Sequence, residues 1–125
     1  MNKKCAVYCT ADDNYIFPSI VALQSVRRFH PECDFFVIGN QGIISKNKLG
    51  VLKRFDIHFL HSDQNELFAG SHWPSTCYLA LLGPEMLWEK GYEYSLGLDA
   101  DILCVQPLDL DEVFSMTVGY AGIEN

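Results

Sequence analysis

No stretch of this 125-residue sequence approaches the ~20 consecutive apolar residues of a membrane-crossing helix. The opening MNKKCAVYCTADD carries two lysines, but its apolar run is short and acids break it, which argues against a signal peptide. Repeats, low-complexity tracts and Pro/Ser-rich linkers are all missing, so residues 1–125 read as one domain with one core. The five cysteines contain no CxxC pair, and their number is odd. His58, His61 and His72 with Cys77 match no structural zinc spacing. Cys5, Cys9 and Cys104 lie in apolar, strand-like runs, which predicts reduced buried thiols and a cytoplasmic protein.

Basic charge is scarcest in the last third. Residues 1–84 hold eight Lys or Arg against seven Asp or Glu, whereas residues 85–125 hold Lys90 alone against nine acids. A chain with this balance, net −7, does not bind phosphate backbones directly, so nucleic acid is excluded as a partner. It would attract a divalent cation.

What is present is an alternation of strand-like and helix-like segments. KKCAVYCT is a near-continuous apolar run, as suits a strand covered on both faces, and the loop ADDN follows it. YIFPSIVALQSVRRF has helical spacing at Ile16, Ile20 and Leu23, with Pro18 in its first turn. HPEC ends it, and DFFVIGN is a second strand. ISKNKLGVLKRF is a second helix with Ser45 as N-cap, and IHFLH is a third strand. TCYLALLGPEMLWEKG is helical at both ends, with a break or kink expected at Gly83-Pro84. YEYSLGLDADILCV is a strand and its exit, LDLDEVF a helical turn, and VGYAGI a final strand. This order predicts an α/β fold with a mostly parallel sheet flanked by helices. Ligands of such sheets bind beyond the carboxyl ends of the strands. Two acidic clusters, ADDN and DAD, fall at such ends, and they would share one cleft if their strands are neighbours.

Asp99 and Asp101 interrupt an otherwise apolar LGLDADILCV. A carboxylate there needs water, a hydrogen-bond network or a cation. Residues i and i+2 of an extended chain point to the same side, so both carboxylates would present to one point. Hard divalent cations take oxygen ligands and share their shell with substrate phosphates, which makes a diphosphate held through Mn2+ (or Mg2+) the natural reading. The alternative is that the two acids simply cap a turn. Asp12, Asp13 and Asn14 are also ordinary loop and cap residues, and Tyr15 taken alone reads as core.

CTADDNY (residues 9–15), HPECDFFVIG (30–39) and YSLGLDADILCVQPLDLDEVF (94–114) resemble, in matching order, the nucleotide-binding half of glycosyltransferase family 8, the group of glycogenin and the bacterial lipopolysaccharide galactosyltransferases. The resemblance implies a Rossmann-like GT-A fold that binds a nucleotide-diphosphate sugar, a UDP-sugar, and transfers the sugar with retention to a glycan, lipid or protein acceptor. It implies Asp99 and Asp101 as the metal ligands, with Asp99 and Ala100 beside the ribose. It implies that Thr10, Ala11, Asp12, Asn14 and Tyr15 cradle uracil and ribose, and that His72 and Trp73 lie on a loop passing the nucleotide. Asp12 accepting the uracil N3–H would select the base. Two departures stand out. Ala80 occupies the place where the family has an arginine, and the acceptor region with its late metal-binding histidine has no counterpart before Asn125. The expectation is therefore a truncated, N-terminal portion of the family fold.

Two rival readings fit less well, and a third, non-enzymatic one is more serious. Aspartyl phosphotransferases carry Asp-x-Asp after a strand but need a downstream lysine, and no Lys or Arg follows Lys90. Receiver domains place an acceptor Asp at a strand end, whereas Asp56 precedes its strand. A non-catalytic nucleotide- and metal-binding fragment shares every motif above.

Overall fold

A computed structural model describes residues 5–62 and 75–114. Four strands, β1 (Cys5–Thr10), β2 (Asp34–Gly39), β3 (His58–His61) and β4 (Tyr94–Gly97), form one parallel sheet in the order β3-β2-β1-β4. The connections carry α1 (Ile16–Arg27), α2 (Lys46–Arg54) and α3 (Ser75–Glu89), and a short α4 (Leu110–Phe114) follows β4. The expected final strand VGYAGI, together with His72 and Trp73, lies outside the described residues.

Burial on both faces explains the unbroken apolar run of β1. Cys5, Val7 and Cys9 join Ile16, Leu23, Val26, Phe35, Val37 and Leu52 in a core under α1 and α2. Ala6 and Tyr8 alternate to the opposite face, where Phe36, Ile38 and Leu87 of α3 meet them. The first two helices start where the sequence dictates. Ser45 caps α2 by accepting the Lys48 amide at 3.4 Å, and Pro18 sits in the first turn of α1, where an amide would lack an intrahelical partner anyway.

Two expectations fail here. The helix over 75–89 runs through Gly83-Pro84 without a break. Proline forfeits one helical hydrogen bond, at a cost of about 3 kcal/mol. Burial outweighs it: Leu87 is fully enclosed, and Leu82 and Met86 pack beside it on the sheet. Gly83 also lets the helix approach closely, since a Cβ there would lie 2.5 Å from the Tyr8 ring. Gly97 closes on the same side chain, a Cβ falling 2.8 Å from its hydroxyl oxygen. The Tyr8 ring thus occupies a slot between two glycines.

The second failure concerns the cysteines. Cys5 and Cys33 form a disulfide, their Cα atoms 5.3 Å apart. The register Ala6↔Asp34 sets them side by side, Cys5 as the first residue of β1 and Cys33 just before β2. Cys9 and Cys104 remain thiols. A reducing compartment therefore loses the support that cysteine usage gave it. No helix among the described residues is long and apolar enough to cross a membrane.

At the amino-terminal edge of the sheet the Tyr92 hydroxyl donates to the Asp34 carboxylate. Burial, and then this carboxylate as hydrogen-bond acceptor and as charge, push the Tyr92 phenol up to about 12. The protonated phenol is the favoured form, so its contribution is complete below the ordinary phenol value of 10.0 and is lost as pH rises from there to about 12. Tyr92→Phe is expected to cost about 1 kcal/mol at neutral pH. The difference from the parent should shrink between pH 10 and about 12, which urea denaturation at both ends of that window measures.

Candidate functional site

The sheet grows from β1 to β2 to β3 on one side, and then the chain returns to add β4 on the other side of β1. The crevice between diverging connections at the carboxyl ends of β1 and β4 is where open α/β sheets take ligands. Both acidic clusters lie there. Tyr8 pairs with Gly97, and the Leu98 amide donates to the Tyr8 carbonyl at 2.9 Å. Residues 98–101 therefore leave the sheet alongside residues 9–12. The Cys9 thiol registers this proximity: burial pushes it up to about 12, and the Asp99 charge adds to the effect against an opposing contact with Ser19.

On the β1 side, the Ala11 amide donates to the Ile38 carbonyl at 3.0 Å. Gly39 lies so close that a Cβ on it would stand 2.4 Å from the Ala11 carbonyl oxygen. Asp12 Oδ1 accepts the Asn14 amide at 3.0 Å and so caps a 3-10 turn over Asp13–Tyr15. Its other carboxylate oxygen accepts nothing among the described residues. Thr10 is half-buried, Asn14 is exposed, and Tyr15 is 54% exposed instead of lying in the core.

The structure separates the two adjacent aspartates. Asp13 turns away to α2, where its carboxylate accepts the Ser45 amide at 2.8 Å and pairs with Lys48 Nζ at 2.8 Å. Lys48 also donates to the Asp13 carbonyl at 2.7 Å. The hydrogen bond from Lys48, followed by that from the Ser45 amide, holds the Asp13 carboxyl below the usual carboxylate value. Asp13 is a structural tie, and Asp12 remains at the crevice.

On the β4 side, Asp99 and Asp101 are exposed and Ala100 is half-buried. Neither carboxylate has a hydrogen bond or ion pair among the described residues, so the turn-capping alternative finds no support. Two free, exposed carboxylates on one short turn suit a hard cation. No group of three His, Cys, Asp or Glu side chains converges among the described residues. His58 instead stacks at 5.2 Å from the Phe36 ring, and His61 Nδ1 accepts the Gln41 amide at 3.0 Å.

Two side chains that the sequence did not single out reach this segment. Ser25 Oγ accepts the Cys104 amide at 2.8 Å, and His30 Nε2 accepts the Leu108 amide at 2.8 Å. Both partners are more than seventy residues distant in sequence, so no local signal marks them. The only cue was a polar residue in the middle of an apolar helix at position 25 and a histidine just past its end.

No protein-family model matches the chain, and neither does any curated protein. Among solved structures, the chain is similar to the crystal structure of the galactosyltransferase LgtC in complex with donor and acceptor sugar analogues, with a TM-score of 0.61 and 26% sequence identity. The match covers 91% of this chain and 43% of that one, so the chain spans less than half the length of this galactosyltransferase. The fold is that of a GT-A glycosyltransferase, and the resemblance to glycosyltransferase family 8 read from the sequence holds in three dimensions.

Proposed function

We propose, from a chain that has the fold of a family 8 glycosyltransferase, that residues 1–125 are the nucleotide-sugar-binding domain of a retaining hexosyltransferase whose donor is a UDP-sugar. The observation that carries this reading is the adjacency of β1 and β4, which sets ADDN and DAD on one crevice. In this reading Asp99 and Asp101 hold Mn2+ or Mg2+. A cation bound there supplies positive charge to the donor diphosphate and to the charge that grows on it as it leaves.

The chain's own residues do the rest. Thr10, Ala11, Asp12, Asn14 and Tyr15 take the uridine, with the exposed Tyr15 ring presenting a flat apolar surface. Asp12 uses one oxygen to fix its own turn, which leaves the other to accept the uracil N3–H. A cytosine, which lacks that N–H, would leave this oxygen facing a second acceptor, so the site selects by an unpaired polar group. Ala100 lies against the ribose, and His72 and Trp73 complete the nucleotide's surroundings. The acceptor is a glycan, lipid or protein.

The test is calorimetric titration of the chain with UDP, with and without Mn2+, and with CDP as the control. UDP affinity is expected to rise at least tenfold with the metal and to exceed that for CDP. Metal-independent binding, or equal binding of CDP and UDP, overturns the reading. A non-catalytic nucleotide- and metal-binding module, which would use the same crevice, is the second reading. Release of free sugar from labelled UDP-sugars separates the two.

A further inference from the structure

From Leu98 to Asp109 the chain forms neither helix nor strand. Backbone amides in such a segment still need partners. Leu98 finds one on β1, through the Tyr8 carbonyl. Cys104 and Leu108 find theirs on side chains of a single region, α1 and the loop that follows it. We propose that Ser25 and His30 are positioning residues for the cation site: they fix the far end of the turn that carries Asp99 and Asp101. This inference rests on the metal reading given above and deepens it.

The chemistry of both acceptors is tuned to the task. The Ser25 hydroxyl donates its own proton to the Ala22 carbonyl at 2.6 Å, which leaves its lone pairs for the Cys104 amide. His30 is buried, and its Nδ1 faces the Glu32 carboxylate at 3.3 Å. A neutral imidazole that donates from Nδ1 to this carboxylate must accept at Nε2, and the Leu108 amide is what it accepts. Apolar packing backs the two bonds, since Leu98, Cys104, Leu110 and Phe114 all lie against the core under α1. Residues 99–103 are thus the span between two anchors, Leu98 on β1 and Cys104 on α1.

This span carries the two carboxylates, and its residues 102 and 103 are exposed apolar side chains with nothing else described to hold them. A turn fixed at one end only would sample many arrangements. Apparent affinity falls in proportion to the fraction of time that the two carboxylates are placed together. The net worth of one such hydrogen bond corresponds to roughly a three- to tenfold effect.

The probe is Mn2+ alone, titrated into the full chain and followed by the electron paramagnetic resonance signal of the free ion. Ser25→Ala and His30→Leu are each expected to weaken binding roughly three- to tenfold. His30→Gln, whose side-chain oxygen reaches about as far as Nε2, should bind within twofold of the parent. Tyr92→Phe, at the opposite end of the sheet, should lower the melting temperature and leave Mn2+ affinity unchanged, which separates positioning from general loosening. Should His30→Leu fail to fold, Ser25→Ala and His30→Gln still decide. Parent-like affinity in Ser25→Ala and His30→Leu, with Asp101→Asn having lost binding, overturns this inference and leaves the metal reading standing. Parent-like affinity in Asp101→Asn overturns the metal reading and this inference with it.

Discussion

Asp101→Asn is expected to weaken Mn2+ binding on the order of a hundredfold and to abolish the metal-dependent part of UDP affinity, while the melting temperature stays within about a degree of the parent. Loss of a group that merely orients a metal ligand costs 10- to 100-fold, and loss of a ligand's charge belongs at or beyond the upper end of that range. The fold does not register the change, because Asp101 is exposed and bonded to nothing among the described residues. Surface substitutions of this kind move stability by about 0.5 kcal/mol or less. Relief of repulsion between neighbouring carboxylates also works in favour of the variant. Calorimetric titration with Mn2+, then with UDP at saturating Mn2+, measures both effects. Unchanged Mn2+ affinity would remove Asp101 from the site.

Gly39→Ala is expected to lower stability by about 3 kcal/mol, or the melting temperature by roughly 10 °C, and to weaken UDP binding as well. The new methyl group would sit 2.4 Å from the carbonyl oxygen of Ala11. A backbone oxygen cannot swing aside as a side chain would. The strand end that leads into the uridine segment must move instead, and the Ala11–Ile38 hydrogen bond moves with it. Gly50→Ala supplies the contrast within the same protein. Gly50 lies exposed in α2 with nothing within 4 Å of its would-be Cβ. There the methyl group only improves helix propensity, a gain of about 0.5–1 kcal/mol. Thermal denaturation of both variants tests the pair of opposite signs. A Gly39→Ala protein that melts and binds UDP like the parent would show that the approach of β2 to Ala11 is not a constraint.

The element order and the parallel sheet were legible because each strand is a short apolar run bounded by turn residues, and each helix has caps or periodic apolar positions. What could not be read was everything that depends on which strand lies beside which. β4 follows β3 in the chain but pairs with β1, and only this jump makes one crevice of two acidic clusters. The Cys5–Cys33 disulfide has the same origin: it follows from the register of β1 on β2, which no spacing reveals. The Gly83-Pro84 step shows a local signal overridden by burial, since α3 rests on the sheet through Leu87. Of the adjacent pair Asp12 and Asp13, the sequence offers two equivalent carboxylates. The partner that distinguishes them, Lys48, is thirty-five residues away.

The tyrosine slot bears on how such a sequence can change over generations. Tyr8, Gly83 and Gly97 come from three elements and meet in one volume, so the effect of substituting any one depends on the other two. Exchange of either glycine for a larger residue is tolerable only after residue 8 has become smaller. The reverse order passes through an overpacked intermediate. Drift here is therefore directional: the ring shrinks first, the glycines follow, and homologues bearing alanine at position 83 or 97 should carry a small side chain at position 8.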